Sequence, residues 1–165
     1  MKLFFAAFVM VATVSFVSCS KDDDEKNDYP ASTSYAIHYQ DGVLTPGQTV
    51  VHTVTAEERA NGEALEAFFF ENKTANALQT RYKVELVEGP ESMSDVPVCY
   101  GECRVVKCPF NSDVFSLAPG VDSKEFSIHC YPDMHQAGSK GTYKITVGKT
   151  GNMEDPQVFF LQFVL

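Results

Sequence analysis

The chain has 165 residues, 44% of them hydrophobic, with 22 acidic against 13 basic side chains and a net charge of −9. A balance that acidic, with Arg59, Arg81 and Arg104 scattered, offers no electrostatic footprint for a phosphate backbone and excludes nucleic acid as an expected partner. Beyond the N-terminal leader no run of about 20 apolar residues occurs, so no further membrane-spanning helix is expected.

The leader comes first. Lys2 precedes the uncharged run LFFAAFVMVATVSFV, residues 3–17, which has the positive start and short apolar core of a secretory signal. Phe16, Val17 and Ser18 then lead into Cys19. That arrangement resembles a bacterial lipobox, with Phe16 standing where the family pattern prefers Leu. The resemblance implies removal of residues 1–18 and acyl chains on the sulfur and amine of Cys19. Each buried methylene contributes about 0.8 kcal/mol, so several chains give a durable membrane anchor. This covalent lipid is the expected attached group, and no other cofactor or resident metal is expected. Loss of Lys2 with the leader moves the net charge from −9 to −10.

Ser20, Lys21, Asp22, Asp23, Asp24 and Glu25 follow at once. The run resembles the export signal of Bacteroidota lipoproteins, which implies the outer face of the outer membrane, with a periplasm-facing anchor as the alternative. Charged, Pro-containing sequence buries too little apolar surface to order itself. Residues 19–33 therefore read as a lipidated cysteine and flexible acidic linker, roughly 50 Å long at full stretch. Residues 34–165 read as one domain of ordinary single-domain size.

Within that domain, short apolar-alternating segments recur between turn residues, predicting strands at 34–40, 48–55, 63–73, 78–88, 113–118, 124–131, 142–149 and 157–165. The segment 55–67 is interrupted by Asn61-Gly62, which reads as a turn. The fold expected is an all-β antiparallel sandwich of about 7–9 strands. Alternation assigns Tyr35, Ile37 and Tyr39, then Tyr82, Val84 and Leu86, Phe126, Ile128 and Cys130, and Tyr143, Ile145 and Val147 to buried faces.

Two segments break the alternation. Phe68, Phe69 and Phe70 are consecutive, and Val158–Leu165 is apolar on both faces except at Gln162. A strand apolar on both sides must be covered on both sides. Either the 88–112 connection folds over the outer face, or Phe68, Phe69, Phe70, Phe159, Leu161 and Phe163 form a partner-binding surface.

With Cys19 assigned to lipid, Cys99, Cys103, Cys108 and Cys130 remain. An even set in an exported chain reads as two disulfides, with three possible connectivities. A Cys99–Cys103 bridge pins the tight Tyr-Gly-Glu turn and leaves Cys108 to Cys130. The competing reading is a redox or metal site built from Cys130, His129 and His135. Zinc favours closely spaced cysteine pairs, and CYPDMH resembles the copper-ligand loop of a cupredoxin, although Met134 precedes His135 where that family places a Met after the His. Neither a nucleophile elbow nor a glycine-rich phosphate loop is present in the sequence.

The order CYGEC, FSLAPGVDSKEFSIHCYPD and GSKGTYKITVGKTGNMEDPQVFFLQFVL resembles Ig-like β-sandwich domains of exported Bacteroidota proteins, over roughly residues 45–165. The resemblance implies a cell-surface adhesion or accessory module and transfers no catalytic residues. The function expected is a surface-anchored, non-catalytic lipoprotein that binds a protein or glycan partner.

Overall fold

The computed structural model describes residues 29–165. Cys19 and the export-signal residues Ser20, Lys21, Asp22, Asp23, Asp24 and Glu25 lie outside the described residues.

Two sheets face each other. The first contains β1 (Tyr35–Tyr39), β2 (Gly42–Val43), β4 (Ala64–Asn72), β6 (Asp95–Tyr100), β7 (Glu102–Lys107) and β10 (Gly120–Cys130), in the order β2-β1-β4-β10-β6-β7. The second contains β3 (Thr49–Thr53), β5 (Leu78–Glu88), β8 (Phe110–Asn111), β11 (Lys140–Lys149) and β12 (Glu154–Val164), in the order β3-β12-β11-β5-β8, with β9 (Phe115–Leu117) also on β5. Pairing is antiparallel except where β3 runs parallel to β12. The sandwich is as expected, while four short or hairpin strands (β2, β6, β7 and β8) raise the count beyond nine.

Alternation decides the core. Tyr35, Ile37, Phe68, Phe70, Phe126 and Ile128 from the first sheet meet Tyr82, Val84, Tyr143, Ile145, Phe159, Leu161 and Phe163 from the second, all buried. Each such side chain contributes about 1.5–3 kcal/mol by leaving water. The 55–67 segment forms one short helix, α1 (Ala56–Asn61), because Thr55 and Glu58 make a reciprocal capping box and Gly62, at φ 77°, closes the end in the left-handed region.

Residues 88–112 are not a covering loop. Most of the segment becomes the β6–β7 hairpin, which reverses at Gly101 and extends the first sheet. Pro97 lacks an N–H, and it sits just before the span of β6 that pairs with β10, Val98–Tyr100. Met93, ahead of β6, fills the core beside Gly141, where a Cβ would stand 2.5 Å from the Met93 methyl carbon. The Tyr143 hydroxyl donates to the Met93 carbonyl at 2.8 Å and fixes the approach.

The apolar outer side of β12 is covered by the chain's own N-terminal segment. Phe159, Leu161 and Phe163 face the core, while Val158 and Phe160 on the other side are only 5% and 8% exposed. Tyr29 lays its ring 5.7 Å from Phe160, and Lys144 Nζ stands 5.3 Å above Tyr29. Ser32 Oγ donates to the Asp155 carbonyl at 2.8 Å, and Thr33 donates from N and Oγ1 to the Asp155 carboxylate at 2.9 and 2.8 Å. Residues 29–33, read from sequence as linker, thus belong to the folded domain.

The partner surface is corrected at the same time. Phe68, Phe70, Phe159, Leu161 and Phe163 are core residues without exposed surface, because their strands turn those positions toward the facing sheet. Phe69 alone of the six is partly exposed.

Candidate binding cleft and cysteine hairpin

Aromatic residues reach solvent at one end of the sandwich, where β6 and β7 of one sheet approach β8 and β9 of the other. There Tyr82, Tyr100, Phe110 and Phe115 floor a cleft of about 180 Å³, with Arg104 and Lys124 on its rim. Tyr100 and Phe115 pack with tilted rings 4.6 Å apart, and Tyr82 meets Tyr100 edge-on at 6.1 Å. Beneath them Phe70 and Phe126 continue the cluster into the core. Such pairs contribute about 0.5–1.5 kcal/mol beyond their buried area, so the floor is preformed.

A register shift in β10 supplies the rim. The strand bulges between Val121 and Glu125, and bulges re-aim side chains. Asp122 accepts a short hydrogen bond from the Tyr100 hydroxyl, and Lys124 Nζ lies 5.7 Å over the same ring. Across the opening Arg104 pairs with Asp113 at 3.5 Å, both well exposed. Burial, followed by Asp122, raises the Tyr100 phenol, and burial raises Tyr82 as well. Both therefore remain neutral hydroxyls at physiological pH. The cleft presents aromatic faces, hydroxyls and two cations, a set that fits a planar or ring-shaped anionic group.

Sequence reasoning missed this site. Tyr82 is legible as one member of a buried stripe, but nothing local to Tyr100, Arg104, Asp113, Asp122 or Lys124 tells that three separate segments converge.

The hairpin disulfide is formed: Cys99 and Cys103 are register partners on β6 and β7 and are bonded. On the open face of the first sheet, His129 Nε2 lies 3.2 Å from Cys99 Sγ and 3.2 Å from Ser127 Oγ, while Nδ1 lies 2.7 Å from Glu63 Oε1. The second expected bridge is absent. Cys108 follows β7, where its N–H donates to the Ser94 carbonyl at 2.8 Å, whereas Cys130 sits on β10 near Arg59, and both are free thiols. Strand β6 lies between them, and two inter-strand spacings, about 10 Å in all, exceed the Cα separation of roughly 4.4–6.8 Å that a disulfide tolerates. Burial pushes the Cys130 thiol up to about 11, against a smaller opposing effect of Arg59, and burial also raises Cys108. Both are protonated at neutral pH.

The set Cys130, His129 and His135 does not converge on one point. Neighbours on a strand face opposite ways. Cys130 therefore points into the core, 4% exposed, and His129 points out to Glu63 and Cys99. Burial lowers His135, whose Nδ1 is buried without a partner. Among the described residues, the three-donor cluster is instead Cys99, Cys103 and His129.

A second histidine holds the helix. His52 on β3 places Nδ1 2.7 Å from Glu66 on β4 and Nε2 2.9 Å from Glu58 in α1, the latter an ion-pair contact outside hydrogen-bond geometry. Burial acts to lower the His52 pKa, but the two carboxylates outweigh it and the net shift is upward.

No protein-family model matches the sequence, and no characterised protein matches it significantly. Among solved structures, the chain is similar to the N-terminal domain of PorA, with a TM-score of 0.57 and 19% identity over 79% of this chain and 96% of that one. The fold is an Ig-like β-sandwich. More distant similarity reaches the CooA pilin subunit from enterotoxigenic Escherichia coli, at TM-score 0.42 and 15% identity over 80% of this chain and 98% of that one. It also reaches a FixG-related protein from Vibrio parahaemolyticus, at 0.41 and 17% over 79% and 93%. At these identities the likeness speaks to the fold and not to activity.

Proposed function

We propose that this chain is a surface-anchored, non-catalytic lipoprotein of the outer membrane that binds a glycan partner through the aromatic cleft. The observation that carries the binding reading is the combination of the partly exposed rings of Tyr100, Phe110 and Phe115 with Arg104 and Lys124 in one concavity. At about 180 Å³ it is smaller than the roughly 300–1,000 Å³ of sites that enclose a cofactor-sized ligand. It suits one sugar ring stacked on Tyr100, with a carboxylate or sulfate between the two cations. A protruding acidic side chain of a protein partner presents the same charge and is the competing occupant.

Binding is favoured over catalysis by how the polar groups are used. Asp122 is engaged by Tyr100 and Asp113 by Arg104, and among the described lining residues there is neither histidine nor cysteine. The anchoring reading rests on the leader, Cys19 and Ser20–Glu25, and none of the described helices is long and apolar enough to cross a membrane. Screening the full chain against acidic, neutral and amino oligosaccharides tests the proposal. Preference for acidic sugars that Arg104→Ala weakens supports it, and equal retention of all three classes contradicts it. Incorporation of a fatty-acid label that Cys19→Ser abolishes is the expected result for the anchor.

A further inference from the structure

The outer face of the first sheet carries a second site, which shares Lys124 with the aromatic cleft but is independent of that cleft's assignment. Cys99 Sγ, Cys103 Sγ and a ring nitrogen of His129 lie within 4.8 Å of one another. Tetrahedral zinc with bonds of about 2.1–2.3 Å needs donors about 3.5–3.8 Å apart, so modest separation of the sulfurs is enough. The imidazole is already oriented. Glu63 takes up Nδ1 at 2.7 Å, which leaves Nε2 facing Cys99, and this carboxylate–histidine arrangement is the usual support of a metal-binding imidazole. The face is open: a concavity of about 300 Å³ lies over Cys99, Cys103, Ser127 and His129, leaving room for an ion and a fourth, solvent ligand.

We propose that reduction of the Cys99–Cys103 disulfide converts this face into a Cys₂His site for a thiophilic ion, Zn²⁺ or Cu⁺, so that the hairpin is a redox-gated metal site. The reductant is a dithiol. One of its thiolates attacks the sulfur of Cys103, which is the exposed member, while Cys99 is buried. The S–S bond breaks and the electron pair leaves on Cys99, beside His129. The reductant's second thiol then displaces Cys103, so that the reductant ends as a disulfide and the protein gains two electrons and two protons. Metal binding expels the two thiol protons, one from each cysteine, as two S–metal bonds form. Soft sulfur donors with one imidazole select Zn²⁺ or Cu⁺ over Mg²⁺ and Ca²⁺. In the oxidised state the same sulfurs are bonded to each other and the hairpin is closed.

The test uses the full chain in mild detergent, reduced with a dithiol that is then removed without air, and titrated with Co²⁺ as a coloured substitute for Zn²⁺. The expected result is one Co²⁺ per chain with a sulfur-to-cobalt absorption band that appears after reduction and is displaced by equimolar Zn²⁺. Cys103→Ser removes the band. Glu63→Gln weakens binding about 10–100-fold, the usual cost of losing such a supporting carboxylate. His129→Asn keeps both cysteines, hence the hairpin, and weakens binding at least as much. A reduced protein without the band, a band already complete before reduction, or one retained in Cys103→Ser or unaltered in His129→Asn overturns the proposal.

Discussion

The outer faces of the two sheets meet water differently. On the sheet carrying β12, Val158 and Phe160 are apolar and the chain closes over them with its own residues 29–34, tied down by Asp155. On the other sheet the outer face is left open and carries histidine–carboxylate contacts, His38 with Glu71 and His129 with Glu63, beside a partly exposed Phe69 and the disulfide hairpin. The two-sided apolar run of β12 therefore reports a second covering layer, not a docking surface. Aromatic rings reach solvent where they are mixed with charge, at the cleft.

Exchanging residues across that contrast gives the largest effects. Phe159→Ala and Phe68→Ala, both buried, should each lower unfolding free energy in urea by about 3–5 kcal/mol, whereas Phe69→Ala should cost less than about 1.5 kcal/mol. Comparable losses at all three would place Phe69 inside and erase the distinction between the faces.

Releasing the covering segment comes next. Asp155 has φ 49°, a conformation that Asn also tolerates, so Asp155→Asn removes charge without straining the turn. Stability should fall by about 1–2 kcal/mol, and the amides of 32–35 should exchange faster. Burial acts to raise this carboxyl, but hydrogen bonds from Ser34, Thr33 and Ser32 outweigh it and hold it well below the carboxylate range. Its contribution is accordingly full above the unfolded value of about 3.9 and is lost as pH falls through the lower folded value. Acid should undock 29–34 before it unfolds the sandwich, and simultaneous loss would contradict this.

The histidine that joins β3 of the second sheet to β4 and α1 responds in the opposite direction. His52 has a raised pKa in the fold, so its clamp on α1 is fully present below the unfolded value of about 6.5 and weakens as pH rises through the folded value. The amplitude should be below about 1 kcal/mol because the pair is partly solvated. Glu66→Gln should flatten the pH dependence of exchange at the α1 amides, and an unaltered profile would assign it to another group.

Much of the sandwich was legible because its strands alternate. Leu78–Glu88 coincides with the predicted 78–88 strand, and the buried stripe Tyr143, Ile145, Val147 is in place. The 88–112 segment was not legible as strands. Three prolines and three cysteines obscure its period, although Val96 and Val98 already alternate there with Pro97 between them. The cover on β12 was hidden for another reason. Serine and threonine at 32–34 look like linker until Asp155, more than 120 residues away, supplies their hydrogen-bond partner. The hairpin disulfide was one of the three connectivities that the cysteine count left open. A second bridge did not form, and counting cysteines says nothing about the strand, β6, that lies between Cys108 and Cys130. The cleft joins β5, β7 and the bulge of β10, and long-range convergence of that kind leaves no local pattern to read.

The most direct measurement is calorimetric titration of the full chain with an acidic oligosaccharide, comparing the unaltered protein with Arg104→Ala/Lys124→Ala and with Phe69→Ala. Both cations lie at the rim, so the double variant should keep its fold. Binding should weaken about tenfold or more, equivalent to about 1.4 kcal/mol, in the double variant and remain unchanged in Phe69→Ala. Equal affinity in the unaltered protein and the double variant, or loss confined to Phe69→Ala, would contradict the cleft as the binding site.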